Sequence, residues 1–540
     1  MNRIILILTV FVFLVSCQKT PKKPNTQSNY SITAKLDTTD LSLDCKMQVD
    51  WFNSSDTLIS EIPFTFQLDS AKTLIKNIKV NDKAQKFSYA LTKTHGFEGF
   101  ILELLTPISP TEKVSIRIDF KTQPNEYFRE RMLFYSEDFP FVQYSENGKF
   151  NSYYQVHSDY KVKIIYPTEF NIATTGQIES IDTTNNEITV NTNINSVPTY
   201  GFVLLKDVIL SEDYSSGILI RSFFFENDEK WGKKLLEHSK NIIEFYVDTL
   251  GFYPQPVLTV IPGYPKPYGG WPVCPNVVGI HRGIDLKKER AETHAHWIIS
   301  HEIGHQYWGF NYVLEPLDYP QWFGIGMGIY TDRLYAVQNI PDFNHSKSFS
   351  SSYLQVMKKG YNTTIMQKND SLDKQNFDWN NSVEHDKSFS VLQMLAYQIG
   401  EEDFFKILKY CLENYKGVNV TLEIFKKDCE TISERNLDEF FKTWFFTNDY
   451  LEYQIDTVIT TMNNNQYQNE IKISKIGIAN ISQVELEINL EGQKRKRLKF
   501  DGKKQNESLI FSTEKAITKI ILDPDLKLLL VNRKDWNMNN

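Results

Sequence analysis

The chain has 540 residues, 41% hydrophobic and 23% charged, with a formal net charge of -8 and a pI near 5.8. That length exceeds what one core serves and implies two to four domains, while the ordinary hydrophobic share excludes a disordered chain. The acidic balance gives no support for nucleic-acid binding, and the 14% aromatic content points to large cores with much β structure.

The first element in chain order is a targeting segment, residues 1–16. Arg3 supplies a positive start, and residues 4–14 form an apolar run too short to span a bilayer as a mature helix. The run ends in Leu14-Val15-Ser16-Cys17, which is similar to a bacterial lipobox. That similarity implies cleavage before Cys17 and lipidation of its thiol and new amine. Residues 17–29, rich in Lys, Pro, Thr, Asn and Ser, read as a flexible tether. A lipid-anchored protein of the cell envelope is expected, on the periplasmic or the outer side of a bacterial membrane. No later stretch reaches the roughly 18 apolar residues of a membrane-spanning helix. Cys45, Cys274, Cys411 and Cys429 show no metal-knuckle spacing and are expected as buried thiols.

Three zones follow. Over residues 30–212, Leu41, Leu43, Cys45, Met47, Val49 and Trp51 alternate with polar residues, the period of a half-buried strand. Turn clusters such as Asn53-Ser54-Ser55-Asp56 separate further runs of this kind. Over residues 213–450 the period becomes helical. Trp231, Leu235, Ile242 and Val247 lead up to Gly251, and helices are predicted over 291–309, 404–415 and 437–446. Short strands are predicted near 257–261 and 277–280. Alternation returns over 451–540, with Val484, Leu486, Ile488 and Leu490 on one face. There Lys494-Arg495-Lys496-Arg497 precedes Asp501-Gly502, a hairpin-turn signal, and reads as a solvated strand edge.

The most specific chemical signal is His301-Glu302-Ile303-Gly304-His305. On a helix this pattern sets two imidazoles at i and i+4, on one face and about one turn apart, where both reach one zinc ion. Glu302 between them is placed to take a proton from a water that the metal activates. By composition the pentad arises by chance in roughly one such chain per hundred. Two histidines do not complete a catalytic zinc site, which usually has three protein ligands. The extended pattern with a third His is excluded, because Trp308 and Asn311 stand where Gly and His are required. His294 is about 10 Å back along the helix, too far to share the ion, and His296 points to another face. Glu315, Asp318 and Asp332 are the nearest carboxylates in sequence. Asp332 lies about two turns beyond the usual ligand slot, and all three read as surface polar residues rather than ligands.

Past the pentad, Gln306-Tyr307-Trp308-Gly309 and then Trp322-Phe323-Gly324-Ile325-Gly326-Met327-Gly328-Ile329-Tyr330 resemble the membrane alanyl aminopeptidase family of gluzincins. The resemblance covers nearly the whole mature chain. It implies an α+β multidomain protein: an N-terminal β domain, a thermolysin-like α-rich catalytic domain and a C-terminal β-sandwich. It also implies a peptide substrate, one zinc ion, and a glutamate as third ligand on the second helix. Ile325 stands in that slot, or Gly324 if the loop has no extra residue; neither binds zinc. His385 falls where the family has its oxyanion-stabilising tyrosine, a place from which it could donate to an oxyanion or, as the best of the alternative ligands, reach the metal itself. Gly269 and Gly270 fall on the family's substrate-binding strand, and Pro272 or Val273 replaces the glutamate that would hold the substrate's free amine. The expectation is a zinc metallopeptidase-type protein with Glu302 and His385 as catalytic groups and His301 and His305 as metal ligands. The alternative is a catalytically degenerate envelope protein that binds peptides or a partner.

Overall fold

The computed structural model describes residues 28–67, 73–94, 97–124, 131–136, 139–266, 269–282, 291–463 and 466–537. The targeting segment, Cys17 and most of the expected tether lie outside these residues. The protein is an α+β multidomain chain with strands at both ends and a helical middle. Among the described residues no helix is long and apolar enough to cross a membrane.

The N-terminal zone packs an eight-stranded and a four-stranded sheet around a core of its own. Its alternation is visible in Ser42–Phe52, which buries Leu43, Cys45, Met47, Val49 and Trp51. The first strand, Ser28–Asp37, already takes in the last two residues of the expected tether. All four described cysteines are buried.

The middle zone is built on a five-stranded sheet in the order Val208–Ser215, Ile218–Phe225, Val257–Pro262, Val277–Ile280, Gly270–Cys274. The expected boundary at 212/213 falls inside the first of these strands. Val257–Pro262 pairs in parallel with neighbours on both sides and is buried at every position, so it reads as a continuous apolar run. Helix α1 (Glu229–Leu250) ends where Gly251 turns left-handed, φ 98°, and its N–H returns to the Val247 carbonyl. Helices α2 (Ala291–Gly304) and α3 (Trp322–Asn339) pack on one another beside the sheet. The expected α2 overshoots, because the chain tightens into a turn at His305 and passes into a short strand at Trp308–Gly309. Gly309 makes the crossing to α3 possible: a Cβ there would lie 2.6 Å from Gly324 Cα.

The C-terminal zone is two sheets, one of three and one of four strands. Asp501-Gly502 does turn the chain, but Arg495–Phe500 and Asn506–Thr513 enter different sheets and form no hairpin. Arg497 meets Asp525, Glu485 and Glu487, so the basic run is matched by carboxylates of its own zone. The hydrophobic core is continuous from Ile220 through Leu530, so the change of sequence period near 450 is no break in packing.

Candidate active site

Helix α2 carries His301 and Glu302, and the turn after it carries His305. All three side chains are buried. The His301 Nδ1–H donates to Asp332 Oδ2 at 2.9 Å. That contact fixes the tautomer and leaves the Nε2 lone pair pointing away from Asp332. His305 Nε2 stands 3.0 Å from this His301 Nε2. Two lone pairs do not face each other at that separation, so a proton or a cation must lie between them. A tetrahedral zinc at 2.0–2.1 Å from each nitrogen would set them about 3.3 Å apart. The motif pair therefore fits a metal in spacing and, at His301, in tautomer, and burial favours the neutral imidazole at both, pushing His301 down to about 4 and His305 well below its usual value.

Asp332 is fully buried on α3 and is not the surface residue expected from the sequence. Besides His301 it accepts the His345 Nε2–H and the Trp297 Nε1–H, the latter at 3.0 Å. Burial raises its carboxyl to about 6, against the opposing pull of His345. Its role is to orient a histidine. The signal was present in the sequence as the two-turn spacing from Ile325, which places it on the same helix face. His345 carries no comparable signal.

The same helix face carries Ile325, the residue that the resemblance puts in the ligand slot. Ile325, Gly328 and Asp332 lie within about 60° of one another on α3. A Cβ on Gly328 would lie 3.4 Å from His305 Cε1 and Nδ1, and Asp332 meets His301. Ile325 is the next step along that row. Gly324 faces elsewhere, toward Glu315 Oε1 and Gly309 Cα. Ile325 is 4% exposed and belongs to the core.

Glu315 is also buried, contrary to expectation. It accepts the N–H groups of Gly324 at 2.8 Å and Phe323 at 3.2 Å, capping the start of α3. Glu384 ties a second element to that helix end by accepting the Gln321 N–H at 2.8 Å. It belongs to the π-helix Asn380–Lys387, which also carries His385. The His385 ring centre is 5.8 Å from that of His301, and its Nδ1–H donates to the Asn380 carbonyl at 3.2 Å. His294 and His296 are turned away: His294 packs on Trp297 and Phe343, and His296 Nε2 bonds the Tyr335 hydroxyl at 2.7 Å.

Glu302 faces the edge strand Gly270–Cys274. A Cβ on Gly270 would stand 2.7 Å from Glu302 Cγ and 2.9 Å from Oε1, so only glycine leaves room for the carboxylate. Gly269, at φ 117°, holds the strand entry against the His281 ring. Glu302 Oε2 and His305 Nδ1 are buried without a hydrogen-bond partner, and burial holds the Glu302 carboxyl well above the usual range. Orphaned polar atoms of this kind mark a place where another group belongs. The carboxylate of a third ligand is missing, however. Among the described residues no group of three or more His, Cys, Asp or Glu side chains is arranged to hold a metal ion.

Residues 282–444, the span that contains all of these helices, match the Peptidase family M1 domain. Curated protein sequences give no match. Among solved structures the fold is similar to aminopeptidase A of Legionella pneumophila in complex with aspartic acid, at a TM-score of 0.69 and 14% identity. That likeness covers 96% of this chain and 61% of the other, so the chain spans about three-fifths of that protein's length. The pentad lies inside the matched span, with strand-rich zones on either side, so residues 282–444 are similar to an M1 peptidase domain within a fold similar to that of an aminopeptidase.

Proposed function

We propose that the protein is a zinc metallopeptidase-type hydrolase of the cell envelope, anchored through a lipidated Cys17, which acts on peptides without requiring a free amino terminus. One observation carries this reading: two imidazole nitrogens 3.0 Å apart beside a buried carboxylate oxygen that has no partner. His301 and His305 would hold the ion, and when bound it supplies polarisation of a peptide carbonyl and a more acidic water. Glu302 takes and returns the proton; burial makes it a strong base once ionised. Gly270–Cys274 is an edge strand, so an extended peptide adds to its open side by backbone hydrogen bonds. Gly270 brings that backbone against Glu302. Pro272 and Val273, where the resemblance implies an amine anchor, offer no charge to an N-terminal ammonium.

The second reading, a peptide-binding protein without turnover, is favoured by Ile325 in the ligand slot. The two separate in one experiment. The metal-loaded full chain is incubated with a mixed peptide library that includes N-acetylated members, and the products are read by mass spectrometry. Cleavage that extends to blocked peptides and is abolished in Glu302→Gln supports hydrolysis. Peptide retention with no cleavage, in protein that carries metal, establishes the binding reading.

A further inference from the structure

We infer that the protein binds a phosphomonoester group in a cavity between its helical middle and its C-terminal zone, through Lys358, Arg533 and Lys534. The site is separate from the histidine pair and does not depend on the metal-site reading.

The cavity has a volume of about 380 Å3, within the size range of small-molecule sites. One wall is a helix face: Ser346 and Ser350 of the π-helix Ser346–Ser350, then Ser351, Leu354 and Lys358 of helix α4 (Ser351–Lys358). The other wall is the C-terminal segment that carries Leu526, Leu530, Arg533 and Lys534. Gln393 ties the two walls together. Its Oε1 accepts from the Ser346 hydroxyl, and its Nε2 donates to the Leu526 carbonyl at 3.2 Å. The cavity is therefore pre-formed, which spares a ligand part of the ordering cost of binding. The backbone is strained where it bounds the cavity. Asp523, Leu526 and Asn532 have φ of 45°, 56° and 52°. Asp and Asn tolerate this left-handed region; leucine adopts it at a cost, and residues held this way gather at ligand clamps.

Charge selects the ligand. Among the described residues the lining holds three cations and no carboxylate, in a chain of net charge -8. The Arg533 guanidinium is pinned from behind: it donates to the Asp523 and Leu528 carbonyls and meets the Asp523 carboxylate at 2.7 Å. Three acceptors leave two of its five N–H groups unspent, on a rigid planar fork that suits phosphate. Asp523 offsets the Arg533 charge. No carboxylate among the described residues pairs with Lys358 or Lys534, and the adjacent Asp535 is taken by Lys519 at 2.6 Å. Two unmatched ammonium groups call for a dianion. A phosphomonoester carries about -1.5 to -2 charge near neutral pH, where a carboxylate brings only one. The Ser351 hydroxyl adds a neutral donor, and Leu354, Leu526 and Leu530 give apolar surface to a short body beyond the phosphate. A soluble phosphorylated metabolite and the headgroup of an anionic lipid share this chemistry.

The test is calorimetric titration of the full chain with inorganic phosphate, phenyl phosphate and benzoate. Phenyl phosphate should bind one-to-one, more tightly than inorganic phosphate and about tenfold or more tighter than benzoate. Lys358→Gln with Lys534→Gln should weaken phenyl phosphate about tenfold or more, and Lys163→Gln, on a strand of the N-terminal zone, should leave it unchanged. Vesicles of phosphatidylcholine, with and without phosphatidic acid, are then added as competitors. Displacement by the phosphatidic acid vesicles alone names a lipid headgroup as the source; no displacement names a soluble phosphomonoester. Absence of saturable binding by both phosphate probes overturns the inference. So does wild-type affinity in the double variant, which would put the phosphate elsewhere, and so does benzoate binding as tight as phenyl phosphate.

Discussion

Acidification to about pH 4.5 should cost the folded chain roughly 3 kcal/mol through His157, which takes a proton in the unfolded chain while staying neutral in the folded one. This residue joins the N-terminal zone to the turn after α2. Its Nε2–H donates to the Asn311 carbonyl at 2.7 Å, and the Ser196 hydroxyl meets Nδ1 at 2.9 Å. The ring is 1% exposed and lies against the backbone of Gly417. Burial lowers its pKa from 6.5 to about 3, despite the opposing help of the Asn311 carbonyl. A depressed histidine stabilises the fold while it is neutral. The contribution is complete above about pH 6.5 and is lost as the pH falls toward 3. Two pH units below the unfolded value, at about 1.36 kcal/mol each, give the figure above. Urea unfolding of wild type and His157→Gln at about pH 7.5 and pH 4.5 isolates the term as a difference of differences. The variant should start less stable and lose roughly 3 kcal/mol less on acidification. Equal losses in the two proteins would refute the argument.

Three further outcomes follow from the same contacts. Gly270→Ala puts a methyl 2.8 Å from the Gly279 carbonyl and 2.7 Å from Glu302 Cγ; melting should fall by the equivalent of about 1–3 kcal/mol, and any hydrolysis by about a hundredfold as Glu302 shifts. Asp332→Asn turns an amide toward one of three donors and removes the charge behind His301, so Zn2+ affinity measured by chelator competition should drop about 10- to 100-fold with the fold retained. Glu315→Gln sets an NH2 against one of the Phe323 and Gly324 N–H groups; thermal denaturation should report a loss of about 1–3 kcal/mol, with one ion still bound.

The parts of the fold that follow a period were legible from the chain. Alternation marked Ser42–Phe52 and Val484–Leu490, and Gly251 marked the end of α1. The motif named His301, Glu302 and His305 because their relation is local, one helical turn. What escaped depends on contacts across long loops. Asp332 and Glu315 look like ordinary surface carboxylates in sequence, and only the packing of α3 shows that one steadies an imidazole and the other caps a helix. Asp501-Gly502 was legible as a turn, but which sheets its strands join is decided by pairings with distant segments. The choice between Gly324 and Ile325 needed the direction of a helix face, which an uncertain loop length conceals from a linear reading.

Helix α2 is also fastened at its far end. The Gln306 side-chain Oε1 accepts from the backbone N–H of Asn276, in the turn between Gly270–Cys274 and Val277–Ile280, and from the Asn311 side-chain amide. Asn276 in turn donates to the Thr174 carbonyl, accepts from the Gly176 N–H and receives the Thr259 N–H on its own carbonyl. It is fully buried. Rotating the N-terminal zone away from this joint would strip several of these groups at about 1–3 kcal/mol each. The joint is thus a weld and not a hinge: edge strand, α2 and the N-terminal sheets move as one body.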